Sequence, residues 1–230
     1  MNEVILKANE LFKNCGFPYY FCGGFALDIF AGKTLRKHSD LDISTFTEYK
    51  RDIVKLLKSD DWDMYKRVFE PGGHGALTSL ADENDPKMDD ARVIWAMKPG
   101  SPLGLVPREG ETDLYNFVIA ADNQTDFNFV EVVLDSRDGN NFILSKGKSI
   151  MRAMDKAILF KDGVPFLAPE VVMFLKSPQV YFTHEFHKNK TPFDFKTIIP
   201  MLPAEGKQWL LSQLGAAYPN GHEWLDEYLT

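Results

Sequence analysis

The chain has 230 residues, of which 44% are apolar and 26% are charged, with 26 Lys and Arg against 33 Asp and Glu. This apolar fraction is ample for a folded core and excludes a disordered or fibrous protein. The formal charge of -7 gives no electrostatic reason for binding a polynucleotide, whose phosphates are contacted mainly by Lys and Arg. We therefore expect no nucleic-acid partner.

The N-terminus carries acidic and amide residues where a signal peptide needs a positive region, and no run of about 18 apolar residues occurs. We therefore expect a cytoplasmic protein without a membrane partner.

The first part of the chain alternates predicted helices and strands. Apolar residues recur at helical spacing over residues 3–14, an aromatic run over 17–22 predicts a strand, and residues 25–30 predict a short helix. The alternation of Asp, Leu, Asp, Ile and Ser over 40–44 has the period of a strand. A third helix is expected after Thr47, which is a favourable N-cap residue.

The remainder predicts more strands and then helices. Residues 62–69 and 127–134 predict two strands, whereas residues 81–113 are rich in acidic residues, Pro and Gly and predict an insertion. The pattern is helical from residue 168 onward. We therefore predict an α+β fold with an α/β domain over residues 1–167 and a helical subdomain over residues 168–230.

Gly23 and Gly24 stand between a predicted strand and a predicted helix. Without Cβ atoms the backbone can approach a ligand closely, and the N-terminus of the helix directs amide dipoles at an anion. Phosphate would suit such a segment. A simple tight turn gives the same pattern, so the glycine pair alone does not decide between the two.

Asp40 and Asp42 are two residues apart on a predicted strand. Their carboxylates therefore project from one face, about 6.6 Å apart along the backbone. Carboxylates at this spacing can converge on Mg²⁺ ions, which phosphoryl-transfer sites hold through carboxylate and phosphate oxygens. Taken alone, the pair fits equally well on the solvent face at the end of an ordinary strand.

The combined pattern is more specific than its parts. A strand, Gly-Gly, a helix, a basic loop and Asp-x-Asp on a second strand resemble the signature of the DNA polymerase β-like nucleotidyltransferase superfamily. The strings GGFALD and RKHSDLD resemble most the branch that contains aminoglycoside 2''-adenylyltransferases and lincosamide nucleotidyltransferases. Residues 164–177 and the later string KNKTPFDF are similar to the helical part of that branch. The resemblance spans most of the chain except residues 70–115.

This resemblance implies a palm-like mixed sheet with a C-terminal helical subdomain. It also implies an enzyme that transfers a nucleoside monophosphate, AMP in the first instance, from ATP or another NTP to a hydroxyl of a small molecule. The acceptor would be similar to an aminoglycoside or lincosamide antibiotic. Two Mg²⁺ ions are the implied cofactors.

The resemblance further implies a third carboxylate on a neighbouring strand. Glu131 is expected, because it is the one acid inside residues 127–134, and Asp135 is the alternative on the same face. The predicted catalytic and metal-binding residues are therefore Asp40, Asp42 and Glu131.

A second set of residues is expected to bind the nucleotide. The resemblance implies a lysine that reaches the phosphates from the helical part; Lys176 is expected, and Lys188 or Lys190, oriented by Asp194, is the alternative. The two basic residues before the Asp pair either contact phosphate or fix the loop. The predicted nucleotide-binding residues are Gly23, Gly24, Arg36, His38 and Lys176.

Other functions remain to be weighed. A binding or regulatory protein of the same fold would bind nucleotide without turnover. The string DLDIST also resembles the nucleophile motif of haloacid-dehalogenase-like phosphatases, but that motif follows a hydrophobic strand, and the residues here are TLRKHS. A polymerase or tRNA-modifying role is weakened by the charge.

Overall fold

The computed structural model describes residues 2–70, 75–119, 124–144, 150–178 and 189–229. These segments form a 12-stranded sheet with parallel and antiparallel pairs, accompanied by α-helices. The predicted α+β fold class with a mixed sheet is confirmed. The division into domains at residues 167 and 168 stays a prediction.

The helices concentrate at the two ends of the chain. They are α1 (Glu3–Phe12), α2 (Gly23–Ala31), α3 (Lys50–Ser59), α4 (Met154–Ala157), α5 (Pro169–Leu175), α6 (Lys190–Ile198), α7 (Ala204–Ala217) and α8 (Glu223–Leu229).

The strands occupy the middle of the chain together with short pieces beside the helices. They are β1 (Tyr20–Phe21), β2 (Leu41–Phe46), β3 (Asp63–Phe69), β4 (Gly75–Leu80), β5 (Val93–Met97), β6 (Leu103–Pro107), β7 (Tyr115–Ile119), β8 (Phe129–Asp138), β9 (Asn141–Ile143), β10 (Met151–Ala153), β11 (Ile158–Lys161) and β12 (Val164–Leu167).

The order of the main sheet is β11-β12-β1-β2-β8-β5-β3-β4-β7-β6, with β9 and β10 continuing from β8. Strand β2 runs parallel to β8, whereas β5 pairs with β8 in the antiparallel direction. Strand β5 comes from the predicted insertion, residues 81–113, and lies between β8 and β3. That segment therefore contributes a central strand to the sheet.

Alternate side chains of β2 point into the hydrophobic core and towards the opposite face of the sheet. Leu41 and Ile43 are fully buried in the main hydrophobic core, which also receives the buried residues of α1, α2 and α3. Because successive side chains on a strand point to opposite faces, Asp42 projects from the other face. The strand thereby anchors a polar group on a rigid, buried support.

The first turn of α2 differs from the prediction. The expected strand over 17–22 is reduced to Tyr20–Phe21, and the helix expected over 25–30 begins at Gly23. Cys22 is the extended N-cap residue, and its carbonyl accepts a hydrogen bond from the Ala26 N–H at 3.3 Å, which closes the first helical turn. The glycine pair therefore belongs to the helix and not to a preceding turn.

The far half of the sheet curls over one face. The Trp95 and Phe117 rings are 4.6 Å apart although their strands, β5 and β7, are three positions apart in the sheet. A flat sheet would separate these strands by about 14 Å, given about 4.8 Å per strand. The curl encloses a second hydrophobic cluster beside β8.

Within the part of the chain that the structure describes, no helix is long and apolar enough to cross a membrane.

Candidate active site

The pairing of β2 with β8 brings two of the predicted carboxylates together. Asp42 and Glu131 are direct register partners on these neighbouring parallel strands, so their side chains leave the same face of the sheet. Asp40 lies just before β2, and its charge raises the pKa of both Asp42 and Glu131. Three residues chosen from the sequence thus lie in one electrostatic group.

The pKa values of this group follow from crowding of like charges. Burial is the largest cause that raises the pKa of Asp42 well above its usual value, and the charges of Asp40 and Glu131 raise it further. Burial also raises the pKa of Glu131 to about 7, although the charge of Arg67 opposes this effect. A nearby cation would stabilise the ionised form of carboxylates in such surroundings.

The oxygen donors of Asp40, Asp42 and Glu131 suit Mg²⁺, which prefers carboxylate oxygens. Among the described residues, however, no group of three or more His, Cys, Asp or Glu side chains is already arranged around a metal position. The donor chemistry and the concentration of negative charge therefore fit the ion. Binding would require the carboxylates to turn towards a common point.

The alternative third carboxylate, Asp135, lies elsewhere. It is the register partner of Phe46, at the opposite end of β2 from Asp42. Its Oδ2 accepts hydrogen bonds from the Tyr20 hydroxyl at 3.1 Å and from the Ser44 hydroxyl. Asp135 thus belongs to a buried polar network, and Glu131 is the acid on β8 that is beside Asp42.

Asp135 gives a prediction for stability against pH. Burial raises its pKa from 3.8 to about 6, although hydrogen bonds from Ser44 and Tyr20 oppose the change. The folded state then holds a proton that the unfolded state has lost, so stability falls as pH rises from about 4 to about 6, by up to about 3 kcal/mol. In Asp135→Asn we expect this part of the pH dependence to vanish.

Urea unfolding between pH 4 and 8 measures this effect, and the difference in unfolding free energy between variant and wild type should rise with pH. Asp138→Asn is the matched control, because Asp138 is exposed on the same strand and should leave the profile unchanged. A parallel profile for Asp135→Asn would show that folding does not raise the pKa of Asp135.

The two glycines make room for the chain's own side chains. A Cβ built on Gly23 would lie 1.7 Å from Oδ2 of Asp42, and one on Gly24 would lie 2.3 Å from Nδ1 of His38. The predicted close approach of a backbone is therefore present, but it is made towards Asp42 and His38. The role of Gly23 and Gly24 in phosphate binding stays a prediction.

Gly23 also has a φ of +59°, a conformation that is unfavourable for other residues. We therefore expect Gly23→Ala to displace Asp42 and to lower the nucleotidyl transfer proposed below by at least about tenfold, with a loss of stability of about 1 kcal/mol or more. Gly139→Ala is the control, because Gly139 also has a positive φ, of 53°, but no atom lies near its Cβ position. Equal losses in the two variants would assign the effect to backbone strain alone.

The basic loop before β2 is fixed by internal contacts. His38 is buried, with its Nε2 2.9 Å from Oδ2 of Asp28 and its Nδ1 3.1 Å from Nη1 of Arg36. These contacts correspond to the alternative in which His38 fixes the loop. Its predicted contact with the nucleotide would need an exposed atom, and only 4% of the residue is exposed.

Asp194 joins the two predicted cations. It accepts two hydrogen bonds from Arg36, Nε to Oδ1 at 2.7 Å and Nη2 to Oδ2 at 2.9 Å, and its Oδ2 lies 3.3 Å from Nζ of Lys176. Both cations also lower the pKa of Asp42, which places them near the carboxylates. Asp194 therefore orients Lys176. The sequence analysis predicted that Asp194 would orient Lys188 or Lys190 instead. Lys188 lies outside the described residues.

Sequence reasoning missed two groups. Asp28 stands within the quoted string GGFALD, and its carboxylate also accepts a hydrogen bond from the Leu35 N–H at 2.9 Å. The sequence feature that could have indicated Asp28 is the single acid within the otherwise apolar helix FALDIF. Arg67 and Trp95, which lie near Glu131, carried no recognisable motif.

Residues 4–67 match the family model described as aminoglycoside-2''-adenylyltransferase. The predicted resemblance is confirmed. The match contains Gly23, Gly24 and the Asp40–Asp42 pair, and it agrees with the expectation of a nucleotidyltransferase. It covers less than half of the chain, and it ends before Glu131.

No curated protein sequence matches the chain significantly. Among solved structures, ANT(2'')-Ia in complex with adenylyl-2''-tobramycin has 12% identity and a TM-score of 0.49, over 93% of this chain and 94% of that one. The lincomycin-bound lincosamide antibiotic adenylyltransferase LnuA has 12% identity and a TM-score of 0.48, over 84% and 96%. An antigenic nucleotidyltransferase-like protein from Paracoccidioides brasiliensis has 16% identity and a TM-score of 0.40, over 97% and 90%.

Proposed function

We propose that this protein is a Mg²⁺-dependent nucleotidyltransferase that transfers a nucleoside monophosphate, AMP from ATP, to a hydroxyl of a small molecule. The observation that carries the proposal is the direct register pairing of Asp42 with Glu131, close to the charge of Asp40. The match of residues 4–67 to an adenylyltransferase family supports the class of reaction.

The carboxylates of Asp40, Asp42 and Glu131 would hold the Mg²⁺ ions. When bound, Mg²⁺ would neutralise charge on the phosphates and on the departing pyrophosphate. Lys176 and Arg36, held by Asp194, would place positive charge beside the NTP phosphates. The first turn of α2 would present backbone N–H groups to the same phosphates.

In the proposed reaction, the acceptor hydroxyl oxygen forms a bond to the α-phosphorus, and the bond from that phosphorus to the pyrophosphate oxygen breaks. The hydroxyl proton passes to a carboxylate, for which Glu131 is our choice because it is the register partner of Asp42 on β8. Most of the rate would come from positioning and charge neutralisation.

The matched family takes its name from aminoglycoside adenylylation, so antibiotics are one class of acceptor to test. The net charge of -7 favours a small-molecule acceptor over a polynucleotide.

The experiment incubates the full chain with Mg²⁺, each of the four NTPs and a panel of hydroxylated small molecules, and follows pyrophosphate release and product mass. We expect release that depends on both Mg²⁺ and acceptor, and that falls sharply in Asp42→Ala. Equal release by wild type and Asp42→Ala would overturn the metal assignment. ATP binding by titration calorimetry without transfer to any acceptor would favour the non-catalytic nucleotide-binding alternative.

A further inference from the structure

Arg67 is a cation without an ionic partner among the described residues. Its guanidinium carbon lies 5.2 Å from the centroid of the Trp95 ring, 5.6 Å from Phe117 and 5.5 Å from Phe69. Its Nε is buried and has no hydrogen-bond partner. The residue as a whole is only partly buried. A buried donor without a partner is costly, and aromatic rings compensate only part of that cost. A bound anion would complete the hydrogen bonding of the Arg67 guanidinium.

Arg67 is placed next to the proposed catalytic carboxylates. Trp95 is the register partner of Glu131 and also of Tyr65, so Trp95 stands on the same face between Glu131 and β3. Arg67 is two residues after Tyr65 and shares that face. The charge of Arg67 lowers the pKa of Glu131, which agrees with this position. A molecule that bound at Arg67 would have its other end close to Glu131.

Aromatic rings of the second hydrophobic cluster lie beside Arg67 on the same face of the sheet. We define the aromatic cluster as Tyr65, Trp95, Tyr115 and Phe117; Tyr65 and Tyr115 are 6.0 Å apart, and Trp95 and Phe117 are 4.6 Å apart. Tyr65, Tyr115 and Phe117 are only partly buried, so part of each remains accessible. Such rings bind flat ligands by stacking and edge contacts.

We propose that Arg67 and the aromatic cluster bind the acceptor, and that the acceptor is a hydroxylated small molecule with a flat ring and a carboxylate. This inference rests on the proposed function of the neighbouring carboxylates. A guanidinium binds a carboxylate through two parallel hydrogen bonds, whereas it repels a polycation. The geometry therefore favours an anionic acceptor over an aminoglycoside.

The test uses the full chain with Mg²⁺ and a non-hydrolysable ATP analogue, titrated by calorimetry with 4-hydroxybenzoate, 4-hydroxybenzamide and tobramycin. We expect the benzoate to bind at least about tenfold more tightly than the amide, since a charge-assisted bidentate pair is lost in the amide. Arg67→Met should abolish this preference, and Arg67→Lys should keep part of it.

Lys66→Met is the matched control, because Lys66 is on the opposite face of β3 and pairs with Asp90 at 2.8 Å. It should keep the preference for the benzoate. Equal binding of benzoate and amide by the wild type, or tighter binding of tobramycin, would overturn the inference, and this comparison does not depend on the folding of any variant. An equal preference in wild type and folded Arg67→Met would also overturn it.

A parallel transfer assay separates this inference from the proposed function. Preference for the benzoate without transfer to any acceptor would contradict the enzyme activity and support the binding site. Transfer with no preference between benzoate and amide would support the activity and contradict the binding site.

Discussion

Asp42→Asn is expected to lose nucleotidyl transfer by about 10²- to 10³-fold or more while the protein becomes more stable. The loss follows because the amide lacks the negative charge that would hold the Mg²⁺ ions, and removal of one electrostatic group at a reacting centre has an effect of this size. The gain follows because Asp42 is a desolvated acid beside Asp40 and Glu131, and its pKa is raised well above the usual value. Asparagine removes this repulsion and retains the shape.

Pyrophosphate release and thermal unfolding of the same preparation measure the two effects. Each kcal/mol of relieved repulsion should raise Tm by about 2–4 °C for a chain of this size. Asp63→Asn is the control, because Asp63 is an exposed acid at the start of β3 and should alter neither quantity. Unchanged activity in Asp42→Asn would remove Asp42 from the site, and a lower Tm would show that its charge is paired in the native state.

Local periodicity predicted only part of the carboxylate group. The alternation over residues 40–44 placed Asp40 and Asp42 on one face of a strand, whereas a third carboxylate on a neighbouring strand followed from the family resemblance. The pairing of β2 with β8 brings Glu131 beside Asp42. A choice between Glu131 and Asp135 needed the register of β2 against β8, because two acids four residues apart share a face but lie about 13 Å apart along a strand. The register is a property of the folded sheet.

Other features depend on contacts that are distant in sequence. Arg36 and Asp194 are 158 positions apart, so no local pattern indicates that the same carboxylate would hold Arg36 and Lys176. The curl that brings Phe117 to Trp95 likewise depends on strands β3 and β4, which lie between them in the sheet. The need for glycine at position 23 also depends on a contact distant in sequence, because the atom closest to a Cβ on Gly23 would be Oδ2 of Asp42.

Asp194 is the buried anion on which both predicted phosphate-binding cations depend. Only 1% of the residue is exposed, and it pairs with Arg36 at 2.7 Å and with Lys176 at 3.3 Å. Burial alone would raise its pKa, but the hydrogen bonds from Arg36 and the charge of Lys176 more than compensate, and the net pKa is lowered. The Arg36–Asp194 ion pair connects the loop before β2 to helix α6.

Asp194→Ala should therefore destabilise the protein by about 3–5 kcal/mol, because it leaves two largely buried cations without their anion. Thermal unfolding should show a decrease in Tm of about 10 °C. Asp89→Ala is the control, because the Arg51–Asp89 pair is exposed and should contribute less than about 1 kcal/mol. A double-mutant cycle with Arg36→Ala should give a coupling energy of about 1–3 kcal/mol. A loss below 1 kcal/mol in Asp194→Ala, or additive effects in the cycle, would show that Arg36 and Lys176 are held by other groups and that the site does not depend on Asp194.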